Sequence, residues 1–293
     1  MSPRAIAWID GPEGGRWATP DALGVPLDDR GLRLADGIFE TVLVEEGRPQ
    51  LLAEHLQRWH TSAELLGMAH PPGANTLAPL VGMAVERAGL EQTSGSLRLN
   101  WSRGSMAPDC GGIDLPPPGA AAPPPRFWLE LRPALPIFSA VRVIVSRTER
   151  RVAGSVLSRC KTFAYGAAIQ ARREARMARA DDALLESTAG GLCCGTTANL
   201  LVRRSDRWLT PPLSSGCLPG VMRSRALALG LAEEAELTVQ DLHRAEAALL
   251  INSLGCRRIT AVGAVELSTT WDARAEAFHR NLRREEAGTE GIT

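Results

Sequence analysis

Ser158-Arg159-Cys160-Lys161-Thr162-Phe163-Ala164-Tyr165 contains the only lysine and the only tyrosine of a 293-residue chain. Every other residue of the 33 lysines and arginines is an arginine. Arginine serves solubility, surface charge and ion pairs as well as lysine does, and bidentate contacts better. It cannot give up its proton and form a Schiff base. The spacing therefore invites a chemical reading of Lys161, with Tyr165 four residues on. Chance is the competing reading at this point, since one lysine has to fall somewhere.

Composition bounds the rest. The length suits two domains. Formal charge is balanced at +0, which argues against a nucleic-acid binder, whose footprint would be a basic excess. Apolar content of 44% is that of a globular chain. No apolar run reaches 18 residues, so no membrane span is expected. The N-terminal apolar stretch is too short for a signal peptide and stops at Asp10-Gly11. Cys110, Cys160, Cys193, Cys194, Cys217 and Cys256 show no metal-ligand spacing, so no metal is expected and the thiols read as small buried residues. The class expected is a cytoplasmic α/β or α+β protein.

Outward from Lys161, the pattern reads as alternating strands and helices. Ala5 to Ile9 and Phe39 to Leu43 alternate as half-buried strands, the second turned back by Glu45-Glu46-Gly47-Arg48-Pro49. Leu52, Leu56, Trp59, Ala63 and Leu66 recur at helical spacing before Gly67; a second helix covers Thr76 to Ala88. Ser96 to Gly104 and Phe127 to Leu131 are strands, separated by a Pro-rich stretch over 105–125 that forms no element and reads as a mobile excursion. Arg132 to Pro136 reads as an interdomain linker, giving domains 1–131 and 140–293 with the linker at 132–139. Beyond it come strands at Val141 to Val145, Asp182 to Glu186, Ala198 to Arg203, Ala247 to Asn252 and Arg258 to Leu267. Helices cover Ala164 to Ala178, the segment that starts at Gly220-Val221-Met222, and a last one from near Thr270.

The ordered motifs are Asp36-Gly37-Ile38-Phe39-Glu40-Thr41, then His55-Leu56-Gln57-Arg58, then the lone Lys161 before an Ala-rich, Arg-bearing helix. Asn199-Leu200, Thr210-Pro211-Pro212-Leu213, Leu218-Pro219-Gly220 and Asn252-Ser253 follow. This series resembles the fold-type IV pyridoxal-phosphate enzymes, the superfamily of branched-chain aminotransferase, D-amino-acid aminotransferase and aminodeoxychorismate lyase. The resemblance implies two α/β domains with pyridoxal 5'-phosphate in the cleft between them, and a homodimer in which the Pro-rich loop could serve as a lid. It also implies Lys161 as the Schiff-base lysine and proton carrier, and Tyr165 as hydrogen-bond partner of the cofactor phenolate. Arg58, the amides of Gly220, Val221 and Met222, and the Ser253 hydroxyl would hold the phosphate. Arg98 or Arg103 could meet a substrate carboxylate, although a structural strand-end role fits each equally well. His55, His60 and His243 read as structural.

One position departs from the family pattern, in which a glutamate five residues before the asparagine pairs with the pyridine nitrogen. Counting back from Asn199 gives Cys194, and no carboxylate lies between Glu186 and Asp206. A thiol makes at best a weak hydrogen bond to an unprotonated nitrogen, so the cofactor would be a poorer electron sink. That tilts the expected reaction from transamination toward a lyase. The sequence looks most like aminodeoxychorismate lyase, which converts 4-amino-4-deoxychorismate to 4-aminobenzoate and pyruvate in folate biosynthesis. A class IV aminotransferase for branched-chain or related amino acids is one alternative. A cofactor-binding homologue with weak turnover is another. The D-amino-acid subtype is disfavoured, since Arg103-Gly104 runs into Ser105-Met106 and not into its Arg-x-His.

Overall fold

The alternation that begins at Gly37 builds a nine-residue strand, and the chain around it folds as a mixed α/β protein. A computed structural model describes residues 2–11, 14–106, 112–117, 119, 122–267 and 274–284. The strands are β1 (Ile6–Ile9), β2 (Arg16–Ala18), β3 (Gly37–Glu45), β4 (Arg48–Pro49), β5 (Ser94–Ser102), β6 (Arg126–Pro133), β7 (Val141–Arg151), β8 (Asp182–Ser187), β9 (Leu192–Gly195), β10 (Asn199–Arg204), β11 (Arg207–Thr210), β12 (Ala232–Glu234), β13 (Ala247–Asn252), β14 (Gly255–Val262) and β15 (Val265–Glu266). The helices are α1 (Arg30–Leu34), α2 (Leu52–Leu65), α3 (Ala74–Ala88), α4 (Gly166–Met177), α5 (Val221–Ala228), α6 (Val239–His243) and α7 (Ala275–Leu282).

The chain divides into two units. One comprises Met1–Pro136 and Ser155–Ala167, the other Ile137–Gly154 and Ala168–Thr293. The first holds a six-stranded sheet in the order β2-β1-β6-β5-β3-β4. Ile38, Val42 and Val44 point from one face of β3 into a core with Leu97, Leu99, Leu129 and Leu131 of the neighbouring strands. Leu56, Trp59 and Ala63 of α2 and Leu77, Val81 and Ala84 of α3 complete that core. Burying one such large side chain contributes about 1.5–3 kcal/mol. The second unit holds a nine-stranded sheet, ordered β12-β11-β10-β13-β14-β7-β8-β9 with β15 beside β14. Its central strand β13 is buried on both faces except at its last residue, which is why it reads as a continuous apolar run.

The domain division differs from the sequence expectation in two respects. Residues 155–167, which carry Lys161, belong with the first unit and not with a continuous 140–293 domain. The cause is backbone pairing. Phe39 N–H donates to the Lys161 carbonyl (2.9 Å) and Phe163 N–H to the Gly37 carbonyl (3.0 Å), with Ile38 and Thr162 as bridge partners. The expected linker is also shorter, because β6 continues through Pro133. Strands β9, β11 and β12 escaped the sequence reading, being only three or four residues long. The Arg258–Leu267 strand is interrupted where Gly263 turns back at φ +58°. The expected half-burial of β3 does not hold either: Glu40 and Val42 are as inaccessible as Phe39 and Leu43. No strand or helix forms among the described residues of 107–125. Two carbonyls there, Ile113 and Asp114, accept from the buried Arg30 guanidinium. The onset of the last helix near Thr270 lies outside the described residues.

The turn between β13 and β14 is held tightly. Leu254 O accepts from Ile137 N (2.9 Å) and Ile137 O from Cys256 N (3.1 Å). A Cβ on Gly255 would lie 2.1 Å from the Ile137 oxygen. Gly255→Ala is expected to destabilise the protein by about 1–3 kcal/mol, read as a lowered midpoint in urea at unchanged slope; an unaltered midpoint would contradict the packing described.

Candidate active site

The Lys161 side chain is placed by its own backbone. The pairing of residues 161–163 with the start of β3 sets Lys161 above Phe39, with Nζ 4.5 Å from the ring centre. Tyr165 follows at the end of the same segment, and its hydroxyl lies 3.1 Å from Nζ. Its ring packs against Phe39 at 5.5 Å between centroids. Phe163 locks the segment from the other side. Its ring lies 2.2 Å from where a Gly37 Cβ would stand and 2.9 Å from that of Gly31. The glycine of the Asp-Gly-Ile-Phe motif therefore has a steric reason that is independent of its φ.

A second cation occupies the same aromatic ring. Arg98 of β5 sits opposite Thr41 of β3, and its guanidinium carbon is 3.5 Å from the Phe39 centroid. Arg98 Nε donates to Asn100 Oδ1 (2.7 Å). Burial lowers the Arg98 pKa, with Tyr165 and Glu130 acting in the opposite sense. Two cationic side chains and a phenol thus gather on one face of β3, a donor set suited to an anionic ligand. Arg103 does not join them. Its Nε donates to Asp36 (2.9 Å) and its two terminal nitrogens to the Gly67 and Leu66 carbonyls (2.8 and 2.9 Å). Its fork donates to the protein itself.

The opposite face of β3 carries Glu40, fully buried. Arg58 of α2 donates to it in a fork, Nε to Oε1 (2.8 Å) and Nη2 to Oε2 (2.5 Å). His55, one turn earlier, contacts Oε2 through Nδ1 at 2.7 Å. Since a carboxylate only accepts, that nitrogen carries the hydrogen. Burial by itself would raise the Glu40 pKa, but the Arg58 charge and the His55 and Arg58 hydrogen bonds outweigh it and hold the carboxyl at about 2. Arg58 is therefore an oriented cation, and the residues that orient it, Glu40 and His55, were read in the sequence as a strand residue and a structural histidine.

The remaining candidates lie in the second unit. Gly220 is the N-cap of α5, with no side chain capping the helix, so the amides of Val221 and Met222 keep the donor character of a helix start. A Cβ on Gly220 would lie 1.9 Å from Asn199 Oδ1; its absence lets Asn199 sit there and donate to the Leu218 carbonyl (2.9 Å). Ser253 occupies the β13–β14 turn. Cys194 is the third residue of β9, across from Leu185 on one side and Asn199 on the other. It is 8% exposed and packs with Ala171, Ala175, Cys193 and Cys217. The Cys194 thiol beside it, with burial, pushes the Cys193 thiol up to about 12. Its hydrogen bond with Cys193 and burial push Cys217 higher still. These two thiols stay protonated and unreactive at neutral pH, and all five cysteines among the described residues are free and buried. No group of three or more metal-ligating side chains occurs among the described residues. No helix among them is long and apolar enough to cross a membrane.

Among known proteins, the family model for amino-transferase class IV matches residues 37–262. Aminodeoxychorismate lyase of Vibrio harveyi is 25% identical over 261 residues, covering 83% of this chain and 89% of that protein. The fold IV-transaminase CpuTA1 from Curtobacterium pusillum has a similar structure, with a TM-score of 0.76 at 26% identity, covering 95% of this chain and 97% of that one. A hypothetical aminotransferase from Mycobacterium tuberculosis in its PLP-bound form shares the fold at a TM-score of 0.76 and 23% identity, over 94% and 98% of the two chains.

The Glu40 cluster makes a pH-dependent prediction. Its folded pKa lies below the unfolded value of about 4.3, so its contribution is complete above that value and is lost as pH falls through about 2. Wild-type stability in urea should drop on the order of 3 kcal/mol between pH about 4.5 and 2. Glu40→Gln should be less stable at pH 7 and should lack this dependence. A variant with the wild-type pH profile would refute the assignment.

Proposed function

This chain belongs to the amino-transferase class IV family, whose members are pyridoxal-phosphate-dependent enzymes, and from that premise we propose that it is a lyase which converts 4-amino-4-deoxychorismate to 4-aminobenzoate and pyruvate. The observation that carries the choice of reaction is Cys194. By the family's spacing Cys194 takes the position of the glutamate that pairs with the cofactor nitrogen, and its strand partners Leu185 and Asn199 carry no carboxylate. The resemblance of the chain to the Vibrio harveyi enzyme supports the same reading.

Pyridoxal phosphate supplies, when bound, an electron sink for charge that develops at the substrate Cα. On this proposal Lys161 holds the cofactor and its freed amine then removes the Cα proton. Tyr165, already within hydrogen-bond distance of that amine, orients it and meets the cofactor's phenolate oxygen. Arg58 and the first amides of α5, with the Ser253 hydroxyl, are the phosphate ligands. The fit rests on the donor chemistry of these groups and on the start of α5, which no side chain caps. Arg98 is the side chain for a substrate carboxylate, being cationic and on the same ring as Lys161. Cys194 can give the ring nitrogen no more than a weak donor, which weakens the sink. Loss of pyruvate from 4-amino-4-deoxychorismate makes the product ring aromatic, and that driving force offsets a weak sink in a way transamination does not.

An aminotransferase is the second reading, favoured by the 26% identity with the Curtobacterium transaminase. Two experiments separate them. Purified enzyme given 4-amino-4-deoxychorismate should release pyruvate and 4-aminobenzoate in equal amounts, and Lys161→Ala should lose both the reaction and the visible absorbance of a lysine-bound cofactor. An unchanged spectrum in that variant would refute the role of Lys161. With an amino acid alone, the lyase should keep that absorbance, whereas a transaminase should lose it. Cys194→Glu, assayed with an amino acid and 2-oxoglutarate, should raise transaminase turnover by about tenfold or more if the residue faces the ring nitrogen; unaltered rate and spectrum would show that it does not.

A further inference from the structure

The inference concerns His279 of α7, a side chain that neither the reaction proposed above nor any sequence motif uses. It is fully buried, in the helix nearest the C-terminus among the described residues. Its Nε2 lies 3.0 Å from the Asn252 carbonyl. A carbonyl only accepts, so Nε2 carries the hydrogen and donates. The ring is held edge-on by Phe138, with centroids 5.6 Å apart. Asn252 is the last residue of β13, and Ser253 follows it in the β13–β14 turn.

Asn252 is bound from three directions. Its carbonyl takes the His279 hydrogen bond. Its Oδ1 accepts from Leu254 N (2.9 Å), the side-chain-to-backbone bond that sets a tight turn. Its Nδ2 donates to Thr197 O (3.3 Å), three residues after Cys194. The other end of α7 is fixed too. Arg225 of α5 donates to the Leu282 carbonyl (3.0 Å) and the Arg284 carbonyl (2.7 Å), which satisfies the open carbonyl end of the helix. Phe278 stacks on Trp208 at 5.6 Å. A helix anchored at its C-terminal end to α5 and through a buried histidine to the Ser253 turn joins two segments that the proposed phosphate site draws on.

We infer that His279 is a positioning residue for the cofactor phosphate: its hydrogen bond to Asn252 holds the Ser253 turn in the geometry that receives the anion. This rests on the assignment of Ser253 and the α5 amides as phosphate ligands. Buried donors that lose their acceptor geometry cost enough to change affinity by about five- to a hundredfold, and outer partners of a binding group typically act on that scale.

The test compares two probes on the full-length apo protein, pyridoxal 5'-phosphate and pyridoxal, which differ only in the phosphate. Wild type should bind the phosphorylated form far more tightly. His279→Leu should lose about tenfold or more of that preference while its affinity for pyridoxal stays within about twofold. His279→Gln, whose amide can place a donor near the Nε2 position, should recover most of it. A preference unchanged in His279→Leu, or an equal loss for both probes, would overturn the inference while leaving the phosphate ligands intact. Wild type without any preference would overturn those ligands and the inference together. Should His279→Leu fail to fold, the wild-type protein decides alone: with 15N-labelled histidine, adding pyridoxal 5'-phosphate should shift the His279 Nε2 resonance more than adding pyridoxal does, and equal shifts would refute the role.

Discussion

Two backbone hydrogen bonds hold the Lys161 segment in place: Phe39 to Lys161 and Phe163 to Gly37. They extend the edge of a sheet by three residues, and everything around Lys161 follows from that register. Lys161 stands over Phe39, Tyr165 comes within reach of its amine, and Phe163 closes over the surface left by two glycines. Backbone groups left unpaired in such a position would carry the full desolvation cost, so the register has no inexpensive alternative. A one-residue slip would turn Lys161 to the other face.

The strand that receives this segment separates two kinds of electrostatics. On the Phe39 face, Arg98 and Lys161 share one aromatic ring, and the surplus of positive charge suits an anionic ligand. On the Glu40 face, a buried carboxylate is neutralised by Arg58 and hydrogen-bonded by His55. The second arrangement keeps Arg58 fixed in orientation through its fork on Glu40. In the second unit the contrast is with neutrality. Cys193 and Cys217 are held protonated in an apolar cluster, and Cys194 shares that cluster. A nitrogen-containing ring placed beside it would meet no fixed negative charge.

The second unit also orders its small residues through asparagines. Asn199 fills the space that Gly220 leaves and binds Leu218. Asn252 ties its own turn to Thr197 and, through its carbonyl, to His279. These side chains hold the backbone at the start of α5 and at the β13–β14 turn. The support is polar and buried, and therefore geometrically specific, because every unmade bond in it is costly.

Sequence alone marked Lys161 and Tyr165, each the only residue of its type in the chain, and it marked the strands and helices with long, clear periods. Counting back five residues from Asn199 reaches Cys194, and the fold sets these two opposite each other in neighbouring strands, because spacing within one hairpin survives without a structure. What it did not reveal depends on contacts between distant parts of the chain. Residues 155–167 follow a linker in the sequence but join the first unit through β3, and no local pattern encodes that pairing. Phe39 and Glu40 alternate in the sequence like an inside and an outside residue. Only the packing of α2 on one face and of the Lys161 segment on the other buries both. Arg103 is cationic at a strand end, and the fold directs its three nitrogens to Asp36 and to the Gly67 and Leu66 carbonyls. His279 reads as an ordinary helix residue until the fold brings it to Asn252. Residue chemistry is local and can be read in order, whereas burial, pairing and the orientation of charge are properties of the neighbours, and these only the tertiary structure decided.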